Sequence, residues 1–167
     1  ATGMVIEGKA GFQIMGDWAK GEFTAAGKKP GVDYYCAATP SNNGYLYNVD
    51  SFIFYKSSDP DKQAGQKLLA KLMMGKNFQK VFNLYKGSIP ARLDVSMDEF
   101  DKCAKTSNAD IKTAGAKGGL VPSFAHGMAQ GNTMKAALQD IITEHFNSDM
   151  SSVDAANALA DSVLANM

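Results

Sequence analysis

Four side chains in this 167-residue chain have the chemistry needed to bind a ring that carries hydroxyl groups: Trp18, Asp50, Lys86 and His126. A carboxylate accepts hydrogen bonds, an ammonium group donates them, and a neutral imidazole does both. Charge-assisted hydrogen bonds of this kind can hold the hydroxyl groups of a sugar, while a flat aromatic ring packs against its face. The aspartate, lysine and histidine could equally perform acid–base chemistry. The residue types therefore leave both a binding site and a catalytic site open.

Each candidate also has a purely structural explanation. Trp18, the only tryptophan, could lie in the core, because tryptophan is highly buried on average. Asp50 could mark the end of a strand at the surface, and Lys86 could be favoured at a helix end by the helix dipole. His126 could be an ordinary exposed loop residue. His145, on a helix with apolar neighbours, is predicted to be structural.

The composition excludes several classes of protein. Lys plus Arg and Asp plus Glu number 17 each, so there is no basic excess to hold nucleic acid or an anionic membrane surface. Hydrophobic content of 45% and charged content of 20% are typical of a globular domain. Cys36 and Cys103 do not form a CxxC unit, and together with only two histidines they give no zinc-site spacing. The cysteines form either a single disulfide or two free buried thiols.

Short strands are predicted early in the chain. The segments 12–15, 34–37 and 45–55 are rich in aromatic and β-branched residues. Trp18 follows the first of them, and Asp50 interrupts the third. Because an unpaired ionised carboxylate in such a strand would be very costly, Asp50 is expected to reach water, a cation or a ligand donor. Ligands bind outside the carboxyl ends of strands in open α/β sheets, so this placement favours a ligand role for Trp18.

Helices are predicted over the rest of the chain. Asp59-Pro60 is a helix start signal, and a second helix runs from Gly75 to Gly87, with apolar residues at helical spacing. A weaker helix is predicted at 96–106, followed by a break over 113–119. The last two helices have predicted starts at Asn132, a plausible cap, and at Ser151, which with Asp154 resembles a capping box. The expected fold is helix-rich α/β with a small sheet.

Longer runs of residues carry a family resemblance. Gln13 to Phe23, Asn48 to Phe52, Asn83 to Arg92 and Pro122 to Met128 resemble, in order, the carboxyl-terminal part of the periplasmic sugar-binding proteins of ABC importers, in particular the glucose/mannose-binding branch. The similarity extends over essentially the whole chain. It implies that residues 1–167 form a single carboxyl-terminal lobe of a two-lobed, type II periplasmic binding protein. The amino-terminal lobe would then be absent and the chain a fragment.

The resemblance implies a function. A monosaccharide such as glucose, mannose or galactose would bind in the cleft between two lobes, with Asp50, Lys86 and His126 as polar ligands and Trp18 stacked on the ring. Hinge closure would then present a docking face to the membrane permease, and the protein would not be an enzyme. The alternatives are a sugar-processing enzyme that uses Asp50 and His126, and a non-binding interaction module in which Asp50 and Lys86 form only an ion pair.

The resemblance also implies a compartment and partners. Cys36 and Cys103 would form a disulfide in an oxidising bacterial periplasm. The expected partners are the sugar, the ABC permease subunits and the missing amino-terminal lobe, with neither nucleic acid nor a cofactor or metal. Because a lobe alone would expose its cleft face, self-association is also expected.

Overall fold

The computed structural model describes residues 1–40 and 44–166, which divide into two compact units. Within these ranges, the first unit comprises residues 1–40 and 49–119, and the second comprises residues 44–48 and 120–166. The helices and strands, in chain order, are α1 (Thr2–Ile6), a 3₁₀ turn (Asp17–Ala19), α2 (Lys20–Ala25), β1 (Tyr45–Tyr47), α3 (Pro60–Met73), α4 (Lys76–Lys86), α5 (Lys102–Ala116), β2 (Leu120–Pro122), α6 (Asn132–Asn147) and α7 (Ser152–Ala165). Within the described residues, no helix has the length and apolar character needed to cross a bilayer.

The two central helices of the first unit confirm the predictions from their end signals. The Asp59 side chain accepts hydrogen bonds from the backbone N–H groups of Asp61 and Lys62, and Pro60 begins α3. Helix α4 ends at Gly87, which has a φ of 87°. This left-handed conformation favours glycine and ends the helix directly after Lys86.

Helix α5 differs from the prediction at both ends. It begins after Asp101, whose carboxylate accepts a hydrogen bond of 2.8 Å from the backbone N–H of Ala104. The expected start near residue 96 was therefore about six residues early. The expected break over 113–119 is wrong for residues 113–116, because the helix continues through Gly115 to Ala116. A glycine near a helix end costs only about 1 kcal/mol relative to alanine, which packing can offset.

The strand predictions are mostly wrong. Residues 12–15 and 34–37 form no strand, apart from an isolated bridge between Pro30 and Tyr34, and only Tyr45–Tyr47 of the third segment is a strand. Phe12 and Ile14 are 82% and 77% exposed. A short strand is stable only when it pairs with another strand. Within the described residues, the sheet consists of β1 paired with β2.

The second unit combines the two strands with a helical pair. Strand β2, which the sequence did not predict, pairs with β1 in parallel, with Leu46 opposite Val121. A three-residue strand is too short for its periodicity to be recognised. The small sheet expected from the sequence is therefore present, but it contains a late strand.

The helices of the second unit begin close to their predicted starts. Gly131 precedes α6, so Asn132 is its first residue rather than its cap. Ser151 is confirmed as the cap of α7, since its Oγ accepts a hydrogen bond of 3.1 Å from the backbone N–H of Asp154. The Ser151 hydroxyl in turn donates to Asp154 Oδ2 at 2.7 Å. His145 Nδ1 lies 2.8 Å from the carbonyl oxygen of Met150, which ties α6 to the start of α7 and gives His145 the expected structural role.

A disulfide and a small apolar core stabilise the first unit. Cys36 and Cys103 are bonded, with their Cα atoms 5.7 Å apart, as the family resemblance implied. The bond joins the segment after Tyr34 to the first turn of α5. Nearby, Phe23 and Phe100 are buried, and the ring of Phe23 packs against that of Tyr34 with centroids 4.3 Å apart.

Candidate functional site

Trp18 lies in the 3₁₀ turn and is half-buried. The strand expected before it is not formed, so its position depends on the turn rather than on a strand end. Gly16 allows this position, because a Cβ on residue 16 would overlap the indole ring. Trp18 therefore folds back over the preceding backbone. A partly exposed indole is compatible with ring stacking, whereas a core tryptophan would not be.

Lys86 and Asp50 form an ion pair at the carboxyl end of α4. The ammonium group of Lys86 donates a hydrogen bond to Asp50 Oδ2. The Lys86 side chain is 30% exposed and that of Asp50 is 63% exposed. The prediction that Asp50 must reach water, a cation or a ligand is thus met by a cation. Its expected place inside a strand is wrong, since β1 ends at Tyr47.

Two contacts join the Trp18 turn and the following helix α2 to the end of α4 and the residues after it. A Cβ on Gly21 would lie 2.7 Å from the carbonyl oxygen of Lys86, so only glycine permits this approach of α2 to α4. In addition, the backbone N–H of Ile89 donates a hydrogen bond of 3.1 Å to Asp17 Oδ2. These two contacts place Trp18, Lys86 and Asp50 in one region of the first unit.

His126 belongs to the second unit, in the loop between β2 and α6. It is exposed, and its Nδ1 lies 2.7 Å from Ser123 Oγ. Ser123 is 3% exposed, and its backbone N–H donates to the carbonyl oxygen of Tyr47 at 2.8 Å. The histidine ring is therefore held by a serine that is itself fixed at the end of the small sheet.

Comparison with known proteins identifies the chain's relatives. A probable sugar-binding periplasmic protein of Brucella suis biovar 1 is 48% identical over 164 residues, which is 98% of this chain and 39% of the relative. A protein of the same name from Rhizobium meliloti is 43% identical over an equal length and share of both chains. An uncharacterized ABC transporter extracellular-binding protein of Pyrococcus horikoshii is 37% identical over 145 residues, 86% of this chain and 32% of the relative. The chain corresponds to part of an ABC-type binding protein.

This binding-protein chain spans about two fifths of the length of the curated relatives it matches. No protein-family model matches it. The relatives are named as binding and transport proteins rather than as enzymes.

A second carboxylate near Lys86 in this binding protein was missed by the sequence reasoning. Burial raises the pKa of the Asp17 carboxyl above its ordinary value of 3.8, although Lys20, the hydrogen bond from Ile89 and Lys86 all act in the opposite direction. Asp17 thus links the Trp18 turn to the residues after α4. Its only sequence signal was its position directly before the tryptophan.

A buried ion pair, also missed, anchors the start of α2. Lys20 Nζ lies 3.2 and 3.0 Å from the two carboxylate oxygens of Asp101, and the Lys20 side chain is only 6% exposed. Asp101 simultaneously caps α5 through Ala104. Because Lys20 follows Trp18 by two residues, this pair holds the segment that positions the indole. Its two partners are 81 residues apart, so no local pattern could reveal it.

Apolar side chains lie beside Lys86 on α4. Together with Lys86, they line a groove of about 530 Å³: Phe78, Val81, Phe82 and Tyr85. Tyr85 is 81% exposed, and Lys86 Nζ lies 5.8 Å from the centroid of the Phe82 ring. The candidate site therefore combines an ion pair with a large apolar surface.

The charges of the site suit a neutral polar ligand. Lys86 and Asp50 balance each other, so the pair offers both a donor and an acceptor without a net charge. Across the described ranges 1–40 and 44–166, no three histidine, cysteine, aspartate or glutamate side chains come together as a metal site.

Proposed function

We propose that this chain is the carboxyl-terminal lobe of the sugar-binding component of an ABC importer, and that it binds a glucose-like monosaccharide. The observation that carries the proposal is the Lys86–Asp50 ion pair, held next to the turn that bears the half-buried Trp18. Hydroxyl groups around a sugar ring can both donate and accept hydrogen bonds. They can therefore bridge an ammonium group and a carboxylate, while an indole contacts the C–H face of the ring.

Each residue has a defined role in this proposal. Lys86 donates hydrogen bonds to hydroxyl oxygens, and Asp50 accepts hydrogen bonds from hydroxyl groups. Trp18 stacks on the sugar ring. The family resemblance alone adds His126, which belongs to the second unit, as a further polar ligand. Charge-assisted hydrogen bonds contribute about 1.5–3 kcal/mol each, so Lys86 and Asp50 would supply most of this lobe's polar binding energy.

The complete binding protein would act by closure. The sugar would bridge this lobe and a second lobe, and would stabilise the closed state because it binds that state more tightly than the open one. The closed protein would then deliver glucose, mannose or galactose to the permease from the periplasm. Because this chain spans about two fifths of the length of its relatives, we expect it to bind glucose at least about a hundredfold more weakly than a full-length relative. That factor corresponds to roughly 2.7 kcal/mol.

The exposed apolar surface of α4 supports one further element of the proposal. In this chain alone, we expect the surface around Tyr85 to mediate self-association, because exposed apolar patches favour protein contacts. Sedimentation of the chain over a range of concentrations tests this expectation.

Titration of the chain with D-glucose, D-mannose and D-galactose, followed by NMR chemical shifts, tests the proposed function. Replacement of Lys86 with Met should weaken binding by at least about tenfold, because it removes a charged hydrogen-bond donor. Lys80 is a matched control, since it lies on the same helix but pairs with Glu99 at 2.7 Å. Lys80→Met should bind as the unmodified chain does.

Two outcomes would overturn the proposal in different ways. Equal sugar affinities for Lys86→Met and the unmodified chain would remove Lys86 from the site, and no binding of any hexose would favour the non-binding interaction module. Release of a new product from a glucoside or sugar phosphate would instead support the enzyme alternative, in which Asp50 and His126 act on the sugar.

A further inference from the structure

Ser123 and His126 form a hydrogen-bonded pair whose geometry defines where the imidazole proton lies. Ser123 Oγ is 2.7 Å from His126 Nδ1, and the backbone N–H of His126 donates to the same Oγ at 3.4 Å. A hydroxyl oxygen that accepts from the backbone still has its own hydrogen to donate. Ser123 Oγ can therefore accept from the backbone N–H of His126 and, at the same time, donate its own hydrogen to His126 Nδ1.

From this arrangement we infer that Ser123 is a positioning residue that keeps neutral His126 in the tautomer with its proton on Nε2. Nδ1 accepts from Ser123, so Nε2 becomes the hydrogen-bond donor of the ring. In the proposed function, on which this part of the inference rests, His126 would therefore donate from Nε2 to a hydroxyl oxygen of the sugar rather than accept from it.

The surroundings of Ser123 make this arrangement rigid. Ser123 is 3% exposed, so water does not readily replace its partners. Its backbone N–H donates to Tyr47 at 2.8 Å, and its carbonyl oxygen accepts from the N–H of Met128 at 3.0 Å. Both backbone groups are thus held, one by β1 and the other by the His126 loop. A side chain on such a fixed backbone can orient its neighbour without moving itself.

His145 provides a contrast within the same unit. Its Nδ1 lies 2.8 Å from the carbonyl oxygen of Met150, and a carbonyl oxygen can only accept. Nδ1 of neutral His145 must therefore carry the proton, and Nε2 is left to accept from Ser152 Oγ at 3.4 Å. The only two histidines of the chain are thus expected in opposite tautomers.

Two-dimensional ¹⁵N–¹H correlation of the imidazole nitrogens in the 167-residue chain tests the inference. At about pH 8.5, neutral His126 should show a protonated Nε2 and a bare Nδ1, and neutral His145 the reverse. A protonated Nδ1 in His126, or signals averaged between tautomers as in free histidine, would overturn it.

Variants then test whether Ser123 is the cause. In Ser123→Ala, the His126 nitrogen shifts should move towards the averaged values of free histidine, while those of His145 stay unchanged. Ser152→Ala is the matched control, because it removes a hydroxyl beside His145 but leaves the Met150 carbonyl that defines the tautomer. Unchanged His126 shifts in Ser123→Ala would show that Ser123 does not position the ring.

D-glucose separates this inference from the proposed function. Glucose should perturb the Nε2 signal of His126, and Ser123→Ala should weaken glucose binding about fivefold, as expected for one lost hydrogen bond. Glucose binding that is insensitive to Ser123→Ala would contradict the positioning role. If glucose does not bind at all, the proposed function fails. The nitrogen shifts measured without sugar would still show whether Ser123 keeps the proton of His126 on Nε2.

Discussion

The backbone of Gly21 lies against the carbonyl oxygen of Lys86, so that a Cβ on residue 21 would be 2.7 Å from that oxygen. This approach sets the distance between α2, which follows Trp18, and the end of α4. The relative positions of Trp18 and Lys86 therefore depend on the absence of a side chain at residue 21.

Gly21→Ala should destabilise the chain by about 1–3 kcal/mol, because the added methyl group forces the two helices apart. Gly65→Ala is the control, since Gly65 lies within α3 and an added methyl group there would meet nothing within 4 Å. That change should be neutral or should stabilise by up to about 1 kcal/mol. Urea unfolding measures both. Equal stabilities of the two variants would contradict the close helix approach.

Asp101→Asn should destabilise the chain by about 2 kcal/mol. The asparagine can still cap α5, but Lys20 would be left buried without its charged partner. The expected loss is below the 3–5 kcal/mol of a fully buried pair, because one third of the Asp101 side chain is exposed.

Glu99→Gln is the matched comparison, because Glu99 forms a surface ion pair with Lys80. This change should lower the free energy of unfolding by less than about 1 kcal/mol. Chemical denaturation at neutral pH distinguishes the two pairs. An Asp101→Asn loss no larger than that of Glu99→Gln would show that the Lys20–Asp101 pair does not anchor α2.

Asp17 should make stability depend on pH. Burial raises the pKa of its carboxyl above 3.8, so the folded chain binds a proton more tightly there than the unfolded chain does. The free energy of unfolding therefore falls as the pH rises above about 3.8 and Asp17 ionises in the folded chain.

Asp17→Asn removes this penalty but keeps an oxygen that can accept from the N–H of Ile89. The variant should be more stable than the unmodified chain at neutral pH, with the difference vanishing below about pH 3.8. Urea unfolding of both proteins over this pH range tests the sign. A difference that grows as the pH falls would contradict it.

The disulfide should contribute substantially to the stability of the first unit. Reduction of the Cys36–Cys103 bond, which closes a loop with a sequence separation of 67, should lower the free energy of unfolding by about 2–5 kcal/mol. Thermal unfolding with and without dithiothreitol measures this change. The double variant Cys36→Ser/Cys103→Ser should not respond to the reductant, and an unmodified chain that is equally insensitive would contradict the prediction.

Local signals predicted the ends of α3, α4 and α7 well, because the capping residues act on their near neighbours in the chain. Asp59, Gly87 and Ser151 act within a few residues of themselves, and all three appear as expected. The strand expected at 12–15 did not form, because pairing depends on distant segments that its own residues do not specify. Lys20 and Asp101 meet across 81 residues for the same reason.

The candidate site was predictable in its residue types but not in its arrangement. Asp50 was expected to need a charged or polar partner, and Lys86 was expected at a helix end, yet nothing local joined the two. Trp18 was expected beside a strand and instead depends on Gly16 and on the approach of α2 to α4.

Fluorescence of Trp18 during titration with D-glucose tests the central claim most directly, because this is the only tryptophan in the chain. We predict a saturable change in its emission with glucose, no change with sorbitol, which has hydroxyl groups but no ring, and loss of the glucose response in Lys86→Met. No change with glucose, mannose or galactose, or an equal response to sorbitol, would contradict the account.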